Sequence, residues 1–116
     1  MDFHEIQADL KQPAVELRRE IPEVLSAFNE LSRAAMAPGA IDAKTKELVA
    51  LAIAITRECD GCVAAHARGA ARKGATRTEV AEIAGVAIMM NGGPGTVWGP
   101  RALAAFDQFD GGSASS

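Results

Sequence analysis

Aromatic side chains are scarce in this chain of 116 residues, at 4% of the total: Trp98 stands alone, tyrosine is absent, and Phe3, Phe28, Phe106 and Phe109 complete the set. With few rings to fill an interior, alanine carries much of the 48% apolar content. Alanine is the best helix former because it gives up no side-chain entropy. The composition therefore predicts an all-α fold with closely approaching helices, and it is too apolar for a disordered chain. Positive charge is not in excess either, with 12 Lys and Arg against 15 Asp and Glu and a pI near 5.3. The basic residues are interspersed with acidic ones, which excludes nucleic acid as a partner, since phosphate binding needs clustered cations. No long apolar run exists: Leu48 to Ile55 is the longest, far short of the ~20 residues that span a membrane. The opening segment MDFHEIQADLKQP has no apolar core of a signal peptide. Cysteine is limited to Cys59 and Cys62. Such a pair without an export signal points to a reducing, cytoplasmic setting, where it is more often catalytic or metal-binding than a structural staple.

The length predicts one helical domain over residues 1–110, followed by a polar, disordered tail over 111–116. Phe3, Ile6 and Leu10 recur at roughly helical spacing, and Pro13 is expected to end that first helix. Pro22 suits the first turn of the next one, where a missing N–H costs nothing. Val24, Leu25, Phe28, Leu31 and Ala35 then mark an amphipathic helix that Pro38-Gly39 stops. Asp42 is a plausible N-cap for a helix of about 43 to 57. That helix is apolar nearly all round between Leu48 and Ile55, which predicts a buried, central element. Gly74 ends the following helix, and Thr76 with Glu79 forms a capping-box pair for one of about 77 to 90. Its inner face includes Val80, Ile83, Ala84, Ala87 and Ile88. Asn91-Gly92-Gly93-Pro94-Gly95 breaks the chain. Gly99-Pro100 is expected to kink or delay a last helix carrying Leu103, Phe106 and Phe109. Trp98 and the Met89-Met90 pair read as core or subunit interface.

Reactive groups gather in one place. Cys59-Asp60-Gly61-Cys62 opens a helix, His66 follows Cys62 by four residues, and Glu47 precedes Cys59 by twelve. The first helical turn has unpaired N–H groups and the positive end of the helix dipole, and both favour a thiolate. Free cysteine titrates near pH ~8.5, and such a setting lowers this to roughly 3.5–7.5. The i, i+3 spacing puts both sulfurs on one side of the turn, within reach of a disulfide. His66 stands over the same face and is placed to take the thiol proton. A helical hairpin would lay Glu47 across from His66, where a carboxylate orients the imidazole and passes protons onward. One thiolate would attack a hydroperoxide to give a sulfenic acid, and the second cysteine would condense with it to a disulfide.

Other readings compete. Zinc would find three ligands in Cys59, Cys62 and His66, with His4 or Glu47 as a fourth, but the spacing is not that of a zinc finger or ribbon. The expectation is therefore a redox pair with no metal and no cofactor. A thioredoxin-like fold lacks its βαβ pattern. Taken singly, His66 reads as an ordinary helix-surface histidine and Glu47 as a solvated first-turn acid. A non-catalytic oligomeric scaffold or redox sensor would also use a CxxC pair.

The composite spacing, Glu47, eleven residues, Cys59-x-x-Cys62, three residues, His66, resembles the motif of the alkyl hydroperoxidase D-like branch of the carboxymuconolactone decarboxylase family. The resemblance covers about residues 22 to 109, including the Gly92-Gly93-Pro94 break. It implies an all-α fold assembled as trimers or hexamers, and a thiol peroxidase activity toward hydroperoxides. A dithiol of lipoyl or thioredoxin type would supply the electrons. By this likeness Cys62 is the peroxidatic cysteine, Cys59 the resolving one, and Glu47 and His66 the proton relay. Gly61 stands where well-studied members carry a second histidine, which implies a shorter relay. The decarboxylase branch generally lacks the CxxC, so its lactone chemistry is the weaker implication. A homo-oligomer is also expected because the mean hydropathy is +0.05 and a small domain has little interior for so much apolar surface. Cys59 lies nearer the helix start and is expected to be the more exposed, exchanging with the reductant.

Overall fold

Six α-helices make up the described residues, 1–111, of the computed structural model: α1 Phe3–Glu20, α2 Pro22–Met36, α3 Ala43–Arg57, α4 Asp60–Arg72, α5 Arg77–Asn91 and α6 Gly93–Phe109. The tail expected from residue 111 onward lies, from residue 112, outside the described residues.

Capping sets the boundaries that matter most for the site. The Asp42 carboxylate accepts the Thr45 N–H at 2.7 Å and starts α3. Thr76 and Glu79 form a reciprocal capping box at the start of α5, and Lys44 reaches from α3 to the same Glu79 at 2.9 Å. The Asp42 carboxyl is held below its ordinary value by hydrogen bonds from Thr45, side chain first and backbone second. The Glu79 carboxyl is held low by the Thr76 N–H and then by Lys44. Both values fall on folding, so the stabilisation is full above the ordinary carboxylate range and is lost as pH drops through the lowered values. Thermal melts across acidic pH should show this limb flattening in Asp42→Asn and Glu79→Gln. An unchanged acid limb in both variants would remove the capping account.

Pro13 does not end its helix, and Gly99-Pro100 does not delay the last one. Pro13 lies inside α1, and Pro100 lies inside α6 together with Gly99. Each proline removes one N–H, and both sit on exposed faces, where solvent is available to the carbonyl left over. Gly99 is buried against Ala84 and Ile88, and Gly95 lies so close to Ile88 that an added Cβ would stand 2.9 Å from the Ile88 Cα. These glycines bring α5 and α6 together. The turn between those helices is made at Gly92, whose φ of 73° suits glycine.

The core is built from α3, α4, α5 and α6, with Leu51, Ile55, Val63, Val80, Ala102 and Phe106 at its centre. Helix α1 lies across α4 and the end of α6 and inserts Phe3, which is completely buried. Gln108 ties it down by accepting the Phe3 N–H and donating to the Met1 carbonyl. The expected burial of α3 is only half realised. Leu48, Leu51, Ala54 and Ile55 point inward, whereas Val49 and Ile53 are 51% and 56% exposed. Helix α2 has no buried residue, and its apolar stripe of Val24, Phe28 and Leu31 is uncovered. Periodicity marked the stripe of α2, whereas the all-round apolar character of α3 overstated its burial; both exposed faces are left uncovered among the described residues. Met89 and Met90 are exposed, while Trp98 packs at the edge of the core with Arg101 over its ring. No helix among the described residues is long and apolar enough to cross a membrane.

Candidate active site

The site forms where α3 hands over to α4. Glu58 takes a left-handed conformation, φ 53° and ψ 43°, and is the only non-glycine residue with positive φ among those described. Such a residue costs roughly 1–2 kcal/mol, and the reversal it makes turns the chain sharply back on itself. The Cys59 N–H bonds to the Ala54 carbonyl at 3.3 Å, so the turn is anchored to the end of α3. Cys59 is then the N-cap of α4, and its Sγ accepts the Cys62 N–H at 3.2 Å.

Cys59 and Cys62 are joined as a disulfide, with their Cα atoms 5.2 Å apart. Their exposures run opposite to the expectation. Cys62 is exposed and Cys59 is half-buried, because the N-cap residue is drawn in against α3 while the first-turn residue faces outward.

The α3–α4 hairpin brings Glu47 and His66 together. Glu47 Oε2 lies 2.9 Å from His66 Nδ1, and the two side chains are 15% and 31% exposed. A carboxylate only accepts, so Nδ1 donates the hydrogen and Nε2 is left as the basic nitrogen. His66, Cys59 and Cys62 share the wall of a cavity of about 400 Å³. Its remaining lining is Ala50, Ile53, Ala54 and Arg57 of α3. Ala50 and Ile53 also border an adjoining apolar groove of about 280 Å³ formed with Met36, Ile41 and Val49. Ala50 and Ile53 therefore form the wall between the cysteine cavity and this groove.

Arg57 and the small residues of α3 were not singled out from the sequence. Their signal was present: Glu47, Ala50, Ala54 and Arg57 fall at spacings of three, four and three, which is one stripe of a helix. Gly61 lies beside α1: a Cβ there would stand 3.3 Å from Leu10 Cδ1, so a larger residue would require that side chain to give way by a few tenths of an ångström. His4 lies away from the cysteine cavity, in a groove of about 620 Å³ between α1 and α4 that also includes Lys11, Gly61 and Arg68. It contacts the Gln108 carbonyl and the Phe109 ring. Among the described residues no group of three His, Cys, Asp or Glu side chains is placed to hold a metal ion.

The fold, and much of the sequence, recur in known proteins. The model of the carboxymuconolactone decarboxylase family matches residues 22–110. An uncharacterized protein of Cupriavidus necator is 40% identical over 109 residues, covering 88% of this chain and 96% of the relative. A carboxymuconolactone decarboxylase family protein from Legionella pneumophila, solved in its apo form, superposes with a TM-score of 0.90 at 39% identity, covering 93% of this chain and 96% of that one. A family protein from Thermotoga maritima, described as a candidate for a role in antioxidative response, gives a TM-score of 0.66 at 29% identity over 88% of this chain and 97% of its own. With most of its length matched in sequence and fold alike, the chain belongs to the carboxymuconolactone decarboxylase family.

Proposed function

We propose that this protein is a thiol peroxidase of the alkyl hydroperoxidase D-like branch, cycling its CxxC pair between dithiol and disulfide in a reducing, cytoplasmic setting. The observation that carries the reading is that His66, hydrogen-bonded to Glu47, lines the same cavity as the Cys59–Cys62 disulfide. The antioxidative description of the Thermotoga maritima relative supports it.

In the reduced form His66 Nε2 takes the Cys62 proton, and Glu47 steadies the imidazolium through Nδ1. The Cys62 thiolate attacks the outer oxygen of a hydroperoxide. An S–O bond forms, the O–O bond breaks, and the alkoxide leaves with the proton held on His66. The product alcohol departs and Cys62 is a sulfenic acid. Cys59 then attacks that sulfur, releasing water and closing the disulfide. A dithiol of lipoyl or thioredoxin type donates two electrons and two protons to reopen it. Exposure directs its first attack to Cys62. Cys59 is the leaving thiolate, stabilised by the Cys62 N–H it already accepts.

Hydroperoxide consumption by the pre-reduced protein with excess dithiol tests this directly. Many turnovers per subunit are expected. A single stoichiometric oxidation that then stops would make the protein a redox sensor instead, and no reaction with any hydroperoxide would end the reading.

The functional form is a homo-oligomer, a trimer or hexamer. Val24, Phe28 and Leu31 on α2 are 60%, 59% and 64% exposed, a contiguous apolar stripe of the kind that marks an interface. Sedimentation velocity at micromolar concentration should give a multiple of the subunit mass, and Leu31→Asp should shift it toward the monomer. A monomeric wild type would sink this.

A further inference from the structure

Helix α4 is rich in alanine, with Ala64, Ala65, Ala67, Ala70 and Ala71, yet position 69 is glycine. Glycine in a helix interior is less stable than alanine, so its presence there calls for a physical reason. The reason lies across the hairpin. A Cβ built on Gly69 would stand 2.7 Å from Glu47 Oε1, and closer still to the Cδ and Oε2 of the same carboxylate. Gly69 is three residues beyond His66 on the same face of α4. The absent side chain is therefore the space that the Glu47 carboxylate occupies while it bonds to His66 Nδ1.

From this the structure assigns Gly69 as the positioning residue of the proton relay: it provides the slot that fixes Glu47 against the imidazole. The assignment rests on the relay reading of the site above. The atoms in conflict belong to the far end of a flexible side chain, so Gly69→Ala is tolerated by the fold, and the carboxylate moves. A fold-directed substitution would behave in the opposite way, damaging stability and sparing the site. Here the helix gains a better residue while Glu47 leaves His66.

Gly69→Ala, Glu47→Ala and the double variant are compared in the full chain. The first readout is the rate of reaction of the reduced protein with a hydroperoxide from pH 6 to 10. The second is the imidazole nitrogen spectrum of His66, which reports whether Nδ1 carries the hydrogen. Gly69→Ala should melt no lower than wild type, react about 10-fold more slowly near neutral pH, part of the about 10²–10⁴-fold a positioned base contributes, and converge on wild type at high pH. Its His66 should lose the preference for the Nδ1–H tautomer. The double variant should match Glu47→Ala, because with no carboxylate left the slot has nothing to hold. A wild-type rate and tautomer in Gly69→Ala overturn the assignment, as does an additive loss in the double variant. If Gly69→Ala fails to fold, the double variant must fold, since it removes the conflict; failure of both makes Gly69 a packing residue and overturns the assignment. Should Glu47→Ala itself leave the rate unchanged, the relay reading fails, and the tautomer spectra still judge Gly69.

Discussion

Cys62→Ser should abolish hydroperoxide reduction, while Cys59→Ser should react once and leave a sulfenic acid on Cys62 that a dimedone-type reagent traps. Two effects compete in this ordering. Cys59 Sγ accepts the Cys62 N–H at the start of α4, and a hydrogen bond to a charged group is worth about 1.5–3 kcal/mol in favour of a Cys59 thiolate. His66 lies one helical turn beyond Cys62 and shares its cavity wall. A positioned base contributes about 10²–10⁴-fold, equivalent to about 3–5 kcal/mol at 1.36 kcal/mol per factor of ten. The base, one turn from Cys62, has the larger effect, and exposure acts in the same direction because Cys62 is the more exposed residue. Mass spectrometry of the trapped adducts decides the matter. A sulfenic acid on Cys59 in Cys62→Ser, formed at the wild-type rate, reverses the roles.

His66→Ala should slow the reaction at pH 7 by about 100-fold or more and recover as pH rises past the ordinary thiol value of about 8.5. Above that value the thiolate forms without help from an imidazole. Glu47→Gln should give the same profile with a smaller loss, since an amide oxygen still accepts the Nδ1 hydrogen but carries no charge. Rates of iodoacetamide alkylation of the reduced protein against pH measure this without any peroxide. A loss in His66→Ala that is equal at every pH would mean that the histidine supports the fold and does not act on the thiol.

Much of the helical plan could be read before any coordinates. Asp42 and the Thr76–Glu79 pair announce α3 and α5 because a cap is a local interaction, complete within four residues. Pro13 and Pro100 misled because a proline is a local signal whose cost depends on a distant circumstance, whether water can reach one carbonyl. The apolar stripe of α2 was legible as a stripe, and α3 as apolar nearly all round, but what covers an apolar face is not written in its period. At the site, the Glu47 to His66 spacing marked the two residues that the hairpin brings to 2.9 Å. Gly69 gave no such sign, because a missing side chain has meaning only once its neighbour across the hairpin is known.

The cysteine turn is gripped from both sides by contacts that do not involve the sulfur–sulfur bond. The Cys59 N–H is held by Ala54 of α3, the Cys59 carbonyl by the Val63 N–H of α4, and the backbone at Gly61 lies under Leu10 of α1. None of these contacts passes through the sulfur–sulfur bond, so in the proposed cycle opening the disulfide would require chiefly rotation of two short side chains. On that reading the oxidised and reduced forms would differ little in backbone, and the reorganisation per cycle would be small. That economy of motion suits a centre that turns over repeatedly. A relay that had to broadcast its redox state would need a looser backbone, one free to carry displacement away from the sulfurs.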